Sequence, residues 1–325
     1  MNRSEIPISC GTSRGRSHAW AVVLAGGKGV RLRGLTRHVY GEERPKQYAV
    51  LTGGKSLLRQ TLDRIRLRIP PERTVVVTMA GHGAYLRAEL RNASPAPHVL
   101  EQPTDRGTAA AILLGAHWIE DRDAGAVCVV MPSDHFVADD DAFMERVDEI
   151  VQAAECHPER IVLLGAEPSE PETDYGWIEI GEPLTGYGAA PLNGVRGFIE
   201  KPDQPSANRL IEARAALWNT FVFGASASAL VEAGSECLPL LHGRLVRLTS
   251  FLGTEHQRWA LAQAYEFAPR ASFSRDLLER CPTRLAVMRL SGVVWRDLGT
   301  SRRVIRTLDD LGIRPDWLAT LQETG

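Results

Sequence analysis

Four stretches of almost uninterrupted Val, Leu, Ile and Ala constrain this chain more than any other feature: Ala19–Ala25 (AWAVVLA), Arg73–Met79 (RTVVVTM), Ala126–Met131 (AVCVVM) and Ile161–Gly165 (IVLLG). None shows the apolar–polar alternation of a strand with one wet face, so each reads as a strand covered on both faces. Helical patterns separate them. Ser56–Arg68 places Leu57, Leu58, Leu62 and Ile65 on one face; Gly107–Glu120 and Asp140–Glu155 are longer, His82–Arg91 is weaker, and His98–Glu101 reads as a further short strand. Buried strands alternating with helices predict an α/β fold: a Rossmann-like, mostly parallel sheet with helices on both faces.

After Pro168 the rhythm changes. Trp177–Ile180, Val195–Ile199, Leu217–Phe223, Arg284–Met288 and Val293–Trp295 read as strands, and Ser226–Ala233, Glu255–Tyr265 and Ser301–Leu311 as helices. This half is expected to mix antiparallel strands with helices and to form a smaller part. The expected division is an extension at 1–17, a first half at about 18–167 and a second half at about 168–325.

The formal net charge is -2 and the arginines are scattered among acids, which argues against a nucleic-acid surface. The five cysteines lie far apart with no C-x-x-C pair, so neither a disulfide framework nor a zinc site is expected. No apolar run approaches the ~20 residues of a membrane span, and residues 1–17 lack an apolar signal core, so a cytoplasmic location is expected. A homodimer is allowed but not required.

Directly after the first strand the chain reads AGGKGVR (Ala25–Arg31). Glycines let backbone N–H groups approach an anion closely. The dinucleotide fingerprint fails because Leu32 stands where its third glycine belongs, and no G-K-[ST] of a Walker loop follows. What remains is a glycine loop ending in a cation, Arg31, suited to a triphosphate. Arg44–Gln47 (RPKQ) adds Lys46, a compact charge on a proline-stiffened segment.

The loop and the lysine together resemble the signature of sugar-1-phosphate nucleotidyltransferases, most closely the mannose-1-phosphate guanylyltransferases. Further matches follow in that family's order: Glu101–Ile112 (EQPTDRGTAAAI), Pro132–His135 (PSDH), Glu172–Glu179 (ETDYGWIE), Phe198–Pro202 (FIEKP), Trp218–Thr220 (WNT) and Trp295–Thr300 (WRDLGT). The resemblance spans roughly residues 19–312. It implies a nucleotidyltransferase, GT-A-like fold, a nucleoside triphosphate and a sugar-1-phosphate as substrates, and Mg²⁺. By resemblance, Leu24, Ala25, Gly26, Gly27, Gly29, Gln102, Gly107 and Thr108 would bind nucleotide. Arg31, Lys46 and Asp134 would be catalytic, and Asp134 and Asp297 would hold the metal. Gly176, Glu179, Glu200, Lys201 and Asn219 would grip the sugar phosphate.

The chemistry suits these residues. A sugar-phosphate oxygen attacks the α-phosphorus and pyrophosphate leaves, so catalysis is mostly positioning and charge neutralisation. His135 reads as a structural hydrogen-bonder, because this reaction needs no imidazole base. Two departures stand out. Arg33 and Gly34 occupy a loop where the family often carries proline, and Phe221 replaces a glycine after W-N-[ST]. The alternatives are glucose-1-phosphate with UTP or dTTP, or a non-catalytic nucleotide-sugar sensor.

Overall fold

The computed structural model describes residues 18–184 and 191–323. The expected extension at 1–17 lies outside them. The strands are β1 (Ala19–Ala25), β2 (Thr74–Met79), β3 (His98–Gln102), β4 (Val127–Pro132), β5 (His135–Val137), β6 (Ile161–Ala166), β7 (Gly176–Pro183), β8 (Leu192–Glu200), β9 (Ala216–Ser226), β10 (Leu285–Arg289) and β11 (Trp295–Asp297). The helices are α1 (Arg33–Tyr40), α2 (Leu57–Ile65), α3 (Gly83–Leu90), α4 (Thr108–Glu120), α5 (Asp140–Cys156), α6 (Gln204–Ala213), α7 (Ala227–Cys237), α8 (Pro239–Leu245), α9 (Gln257–Glu266), α10 (Ser301–Asp310) and α11 (Asp316–Glu323).

A nine-stranded sheet in the order β3-β2-β1-β4-β9-β6-β10-β8-β7 carries both halves of the chain. Its first four strands are parallel, as the apolar runs predict. From β9 onward antiparallel pairings dominate; only β6 and β10 run parallel. One apolar layer packs α4, α7, α8 and α9 on one face of the sheet. A second packs α2 and α5 on the other. α4 is apolar all round, and residues Ala109 to Ile119 of it are buried, which a helix held between a sheet and further helices requires.

Side-chain caps set where several helices begin: Ser56 for α2, Asp139 for α5, Asp203 for α6, Ser226 for α7 and Thr300 for α10. Each such cap contributes about 1 kcal/mol. Four helices, α1, α6, α8 and α11, were not legible as helices, because each is short, at ten residues or fewer.

The expectation of unpaired cysteines needs correction. Cys237, at the end of α7, and Cys281 are joined as a disulfide. They are 44 residues apart in sequence, and only the packing of α7 beside the turn before β10 brings them together. Cys128 is a buried free thiol.

His117 on α4 is buried beside His242 on α8, with ring centroids 5.1 Å apart. Among the described residues, His117 Nε2 and His242 Nδ1 have no hydrogen-bond partner. Burial first, and then the neighbouring His242, push the His117 pKa down to about 4 from 6.5. The folded state therefore resists a proton that the unfolded chain accepts. Stability is complete above pH 6.5 and falls as pH drops towards 4, by about 3 kcal/mol in total. Denaturant midpoints at pH 7 and pH 4.5 check this, and His117→Leu should flatten the difference.

Candidate active site

The chain runs from β1 out to β2 and β3 on one side, then crosses to β4 on the other, so β1 and β4 flank a topological switch point. Ligands of open α/β sheets bind at such crevices, outside the carboxyl ends of the strands. Register fixes what meets there. Leu24 of β1 lies opposite Pro132 of β4, so the glycine loop emerges beside Ser133 and Asp134. Met79 of β2 lies opposite Gln102 of β3, which brings Gln102 to the same rim. β5 and β11 form a separate two-stranded ladder with Asp297 opposite His135, which sets Asp297 beside Asp134.

The loop is held from below. Gln47 Nε2 donates to the carbonyls of Ala25 (2.7 Å) and Gly27 (3.0 Å), and Thr78 Oγ1 also donates to Ala25. Gly29 has φ +58, and a Cβ there would lie 2.8 Å from the backbone nitrogen of Lys46. Only glycine allows the loop to rest on the RPKQ segment this closely. A cavity of about 560 Å³ opens above, lined among others by Leu24, Gly26, Gly27, Gly29, Gln102, Gly107, Thr108, Asp134 and Phe221. Ala25 is wholly buried, so its part is to anchor the loop through its carbonyl.

Several charged side chains meet at this rim. Lys46 is 5% exposed, and its Nζ sits 3.2 Å from Asp134 Oδ2 and 3.4 Å from Asp297 Oδ1. Asp297 Oδ2 meets Arg303 Nη1 at 3.2 Å. Arg303 also pairs with Glu172 (2.5 Å) and Asp174 (3.5 Å) and lies over the Tyr175 ring at 4.6 Å. Arg31 Nη1 pairs with Asp174 Oδ2 at 2.8 Å. Burial alone would raise the Asp297 carboxyl, but Lys46, His135, Arg303 and Arg31 outweigh it and hold it below the usual range. Burial pushes the His135 pKa down, and its Nδ1 accepts a hydrogen bond from Trp295 Nε1 at 3.2 Å. A neutral imidazole acting as acceptor agrees with the structural role expected of it.

Further along the rim, Gly176 is paired with Glu200, and a Cβ on Gly176 would lie 2.9 Å from Glu200 Oε2. Lys201, with φ +55, has its Nζ 3.8 Å from Glu200 Oε1. Burial raises the Glu200 carboxyl above its ordinary range. Asn219 is buried and its Oδ1 accepts from the Phe221 N–H at 3.0 Å. That bond holds Phe221 at φ +59, a left-handed conformation unusual for a bulky residue, and its ring edges onto Phe223 and Phe273. Glu179 is not brought to this group. Strand alternation sends it to the face of β7 opposite Gly176, against Gly197, whose added Cβ would meet its carboxylate.

Arg33 and Gly34 are the first turn of α1 rather than an open loop, and Arg33 pairs with Glu43 at 3.2 Å. Sequence reasoning missed Arg303, Asp174 and Tyr265. Arg303 was findable: Thr300 caps α10, and the third residue of a capped helix points back at its entry turn, here Asp297. Tyr265 carried no signal, since its partner Gln102 is 163 residues away.

Two carboxylates sharing one ammonium are an all-oxygen donor pair at a point that already stabilises positive charge. Mg²⁺ takes few protein carboxylates and completes its shell with water and substrate oxygens, so the pair fits it. Among the described residues no group of three or more His, Cys, Asp or Glu side chains is placed to hold a metal ion.

The model of the nucleotidyl transferase family matches residues 20–311. Mannose-1-phosphate guanylyltransferase 2 of Escherichia coli O157:H7 is 28% identical over 288 residues, covering 86% of this chain and 58% of that protein. The chain therefore spans little more than half the length of this curated relative. A solved structure described as the mannose-1-phosphate geranyltransferase of Thermus thermophilus is 33% identical, with a TM-score of 0.74, covering 89% of this chain and 79% of that one. The inositol-1-phosphate CTP transferase of T. maritima shares the fold at 15% identity, with a TM-score of 0.56, covering 91% of this chain and 95% of that one.

Proposed function

Since the chain belongs to the nucleotidyl transferase family, we propose that it transfers a nucleotidyl group from GTP to mannose-1-phosphate, giving GDP-mannose and pyrophosphate. The observation that carries this reading is Lys46 seated between Asp134 and Asp297, beside a glycine loop at a sheet switch point. The names of the relatives support the substrate pair.

The first half, about 18–167, holds the nucleotide, and the second, about 168–325, holds the sugar phosphate. Gly26, Gly27 and Gly29 cradle the triphosphate with backbone N–H groups. Arg31 exchanges Asp174 for phosphate oxygens, and Lys46 neutralises charge as the phosphates approach. Glu200, Lys201 and Asn219 orient the sugar phosphate. One of its phosphate oxygens attacks the α-phosphorus, the bond to the bridging α–β oxygen breaks, and pyrophosphate leaves with that electron pair. Asp134 and Asp297 would hold Mg²⁺, which neutralises the triphosphate and the charge developing on it.

Gln102 supports guanine. Tyr265 Oη donates to Gln102 Oε1 at 3.1 Å, which fixes the amide and leaves Nε2 beside Gly26 at the cavity wall. A fixed NH₂ donor suits the O6 of guanine and not the amino group of adenine. Tyr265→Phe removes the lock, so the preference for GTP over ATP in kcat/KM is expected to fall about tenfold while the fold persists. Parallel GTP and ATP kinetics check this.

The test of the reading is turnover with a matrix of nucleoside triphosphates and sugar-1-phosphates in Mg²⁺. GDP-mannose from GTP and mannose-1-phosphate is the expected product. No product from any pair would overturn the assignment.

A further inference from the structure

A second cavity, of about 870 Å³, lies outside the site described above, at the open edge of the sheet. β3 is the edge strand, and the cavity wraps around it between α3 on one face and α9 on the other. Three arginines line it: Arg87 and Arg91, one turn apart at the end of α3, and Arg258 at the start of α9. None of them forms an ion pair among the described residues. Among the described residues Glu101 is the only acid in the lining, against three arginines, so the described lining carries a net charge of +2. Leu86, Val99 and Leu261 supply an apolar wall beside these cations.

A solvated basic face needs no concavity and no apolar wall. Three guanidinium groups around a walled space of this size match a ligand with several negative oxygens at one end and a flat or apolar body at the other. We propose that this groove is a second binding site, for a phosphorylated small molecule of the nucleoside diphosphate class, separate from the cavity beneath the glycine loop.

Its placement gives it a short route to that cavity. Arg258, Leu261, Ala262 and Tyr265 fall on one face of α9 by helical spacing, and Tyr265 is the residue that fixes Gln102. Arg106 further ties the end of α9 to the segment before Gly107, donating to the carbonyls of Tyr265 (2.8 Å) and Glu266 (2.9 Å). A ligand gripping Arg258 and Leu261 therefore rests on the same helix that orients the amide at the first site.

Calorimetric titration of the full chain with GDP tests the proposal, with inorganic pyrophosphate as a second probe. Two equivalents of GDP per chain are expected, and one in the combined variant Arg87→Gln, Arg91→Gln, Arg258→Gln. All three side chains are exposed, so the fold should survive; Arg258→Gln alone should already weaken the second class about tenfold. GDP is expected to bind this site about tenfold tighter than pyrophosphate, because only GDP reaches the apolar wall. The same GDP stoichiometry on the unaltered chain and on the triple variant, whether one equivalent or two, overturns the site. Equal affinity for the two probes overturns the nucleotide as its occupant. The readout is the equivalent lost with the arginines, so it stands or falls independently of turnover at the first site.

Discussion

Lys46→Met is expected to lower turnover by about 10²–10³-fold, the effect of removing one charge-stabilising group from a water-poor reaction centre. The lysine is nearly buried and its ammonium touches both carboxylates. Methionine keeps most of the volume and removes only the charge. Asp134 and Asp297 then face each other with no cation between them, although Arg303 still holds the far oxygen of Asp297. Removing one member of a buried ionic group destabilises by about 3–5 kcal/mol, and the remaining arginine argues for the lower end.

The same substitution has a pH signature. With its folded pKa depressed, Asp297 contributes stability that is present above 3.8 and is lost as pH falls through the folded value. Lys46→Met shrinks that contribution, so the difference in stability between mutant and parent should be largest near neutral pH and fade in acid. Added Mg²⁺ should recover part of the melting temperature, by supplying positive charge to the same two oxygens, without recovering turnover. Turnover within a factor of ten of the parent would remove Lys46 from the reaction.

How much of this was legible in the sequence depends on the range of the interaction. β1, β2, β4 and β6 were readable because a strand buried on both faces is apolar at nearly every position. The glycine loop and Asp134 were readable because they follow the ends of β1 and β4, where chain direction alone fixes their side of the sheet; Lys46 lies in a short turn before α2 and was legible only through the RPKQ motif. Glu179 was misplaced because a motif gives position along a strand but not the face, and it lies three positions, an odd step, beyond Gly176. The reach of Arg303 back to Asp297 is local to the start of α10, but its clasp on Glu172 and Asp174 joins two distant segments, and nothing local demands it. The Cys237–Cys281 pairing and the Tyr265–Gln102 bond fail to show for the same reason.

Gly107→Ala should be more damaging than its size suggests. Gly107 caps α4 at φ +84 and ψ 175, a region that residues with a Cβ avoid. An added Cβ would fall 2.1 Å from the carbonyl oxygen of Ala271 and 2.9 Å from its carbon. These are backbone atoms, so no side-chain rotation relieves the clash. The two segments are also tied to each other: Ala109 N–H donates to the Ala271 carbonyl, Ala271 N–H to the Arg106 carbonyl, and Phe273 N–H to Thr108 Oγ1. The mutant must break this seam or shift the whole 105–109 turn, which carries the cavity wall between Gln102 and Thr108. Strain of this kind costs about 1–3 kcal/mol, and loss of two or three seam hydrogen bonds adds about 1 kcal/mol each. A destabilisation of about 3–6 kcal/mol is therefore expected by denaturant titration. In whatever fraction folds, a wall displaced by about 1 Å should raise the Kd for nucleotide and lower kcat/KM by about 10²-fold. Gly27→Ala is the control, since nothing lies within 4 Å of the position its Cβ would take and its effect on stability should be small. Equal stability of the two variants would show that the 107–271 seam does not hold the cavity in shape.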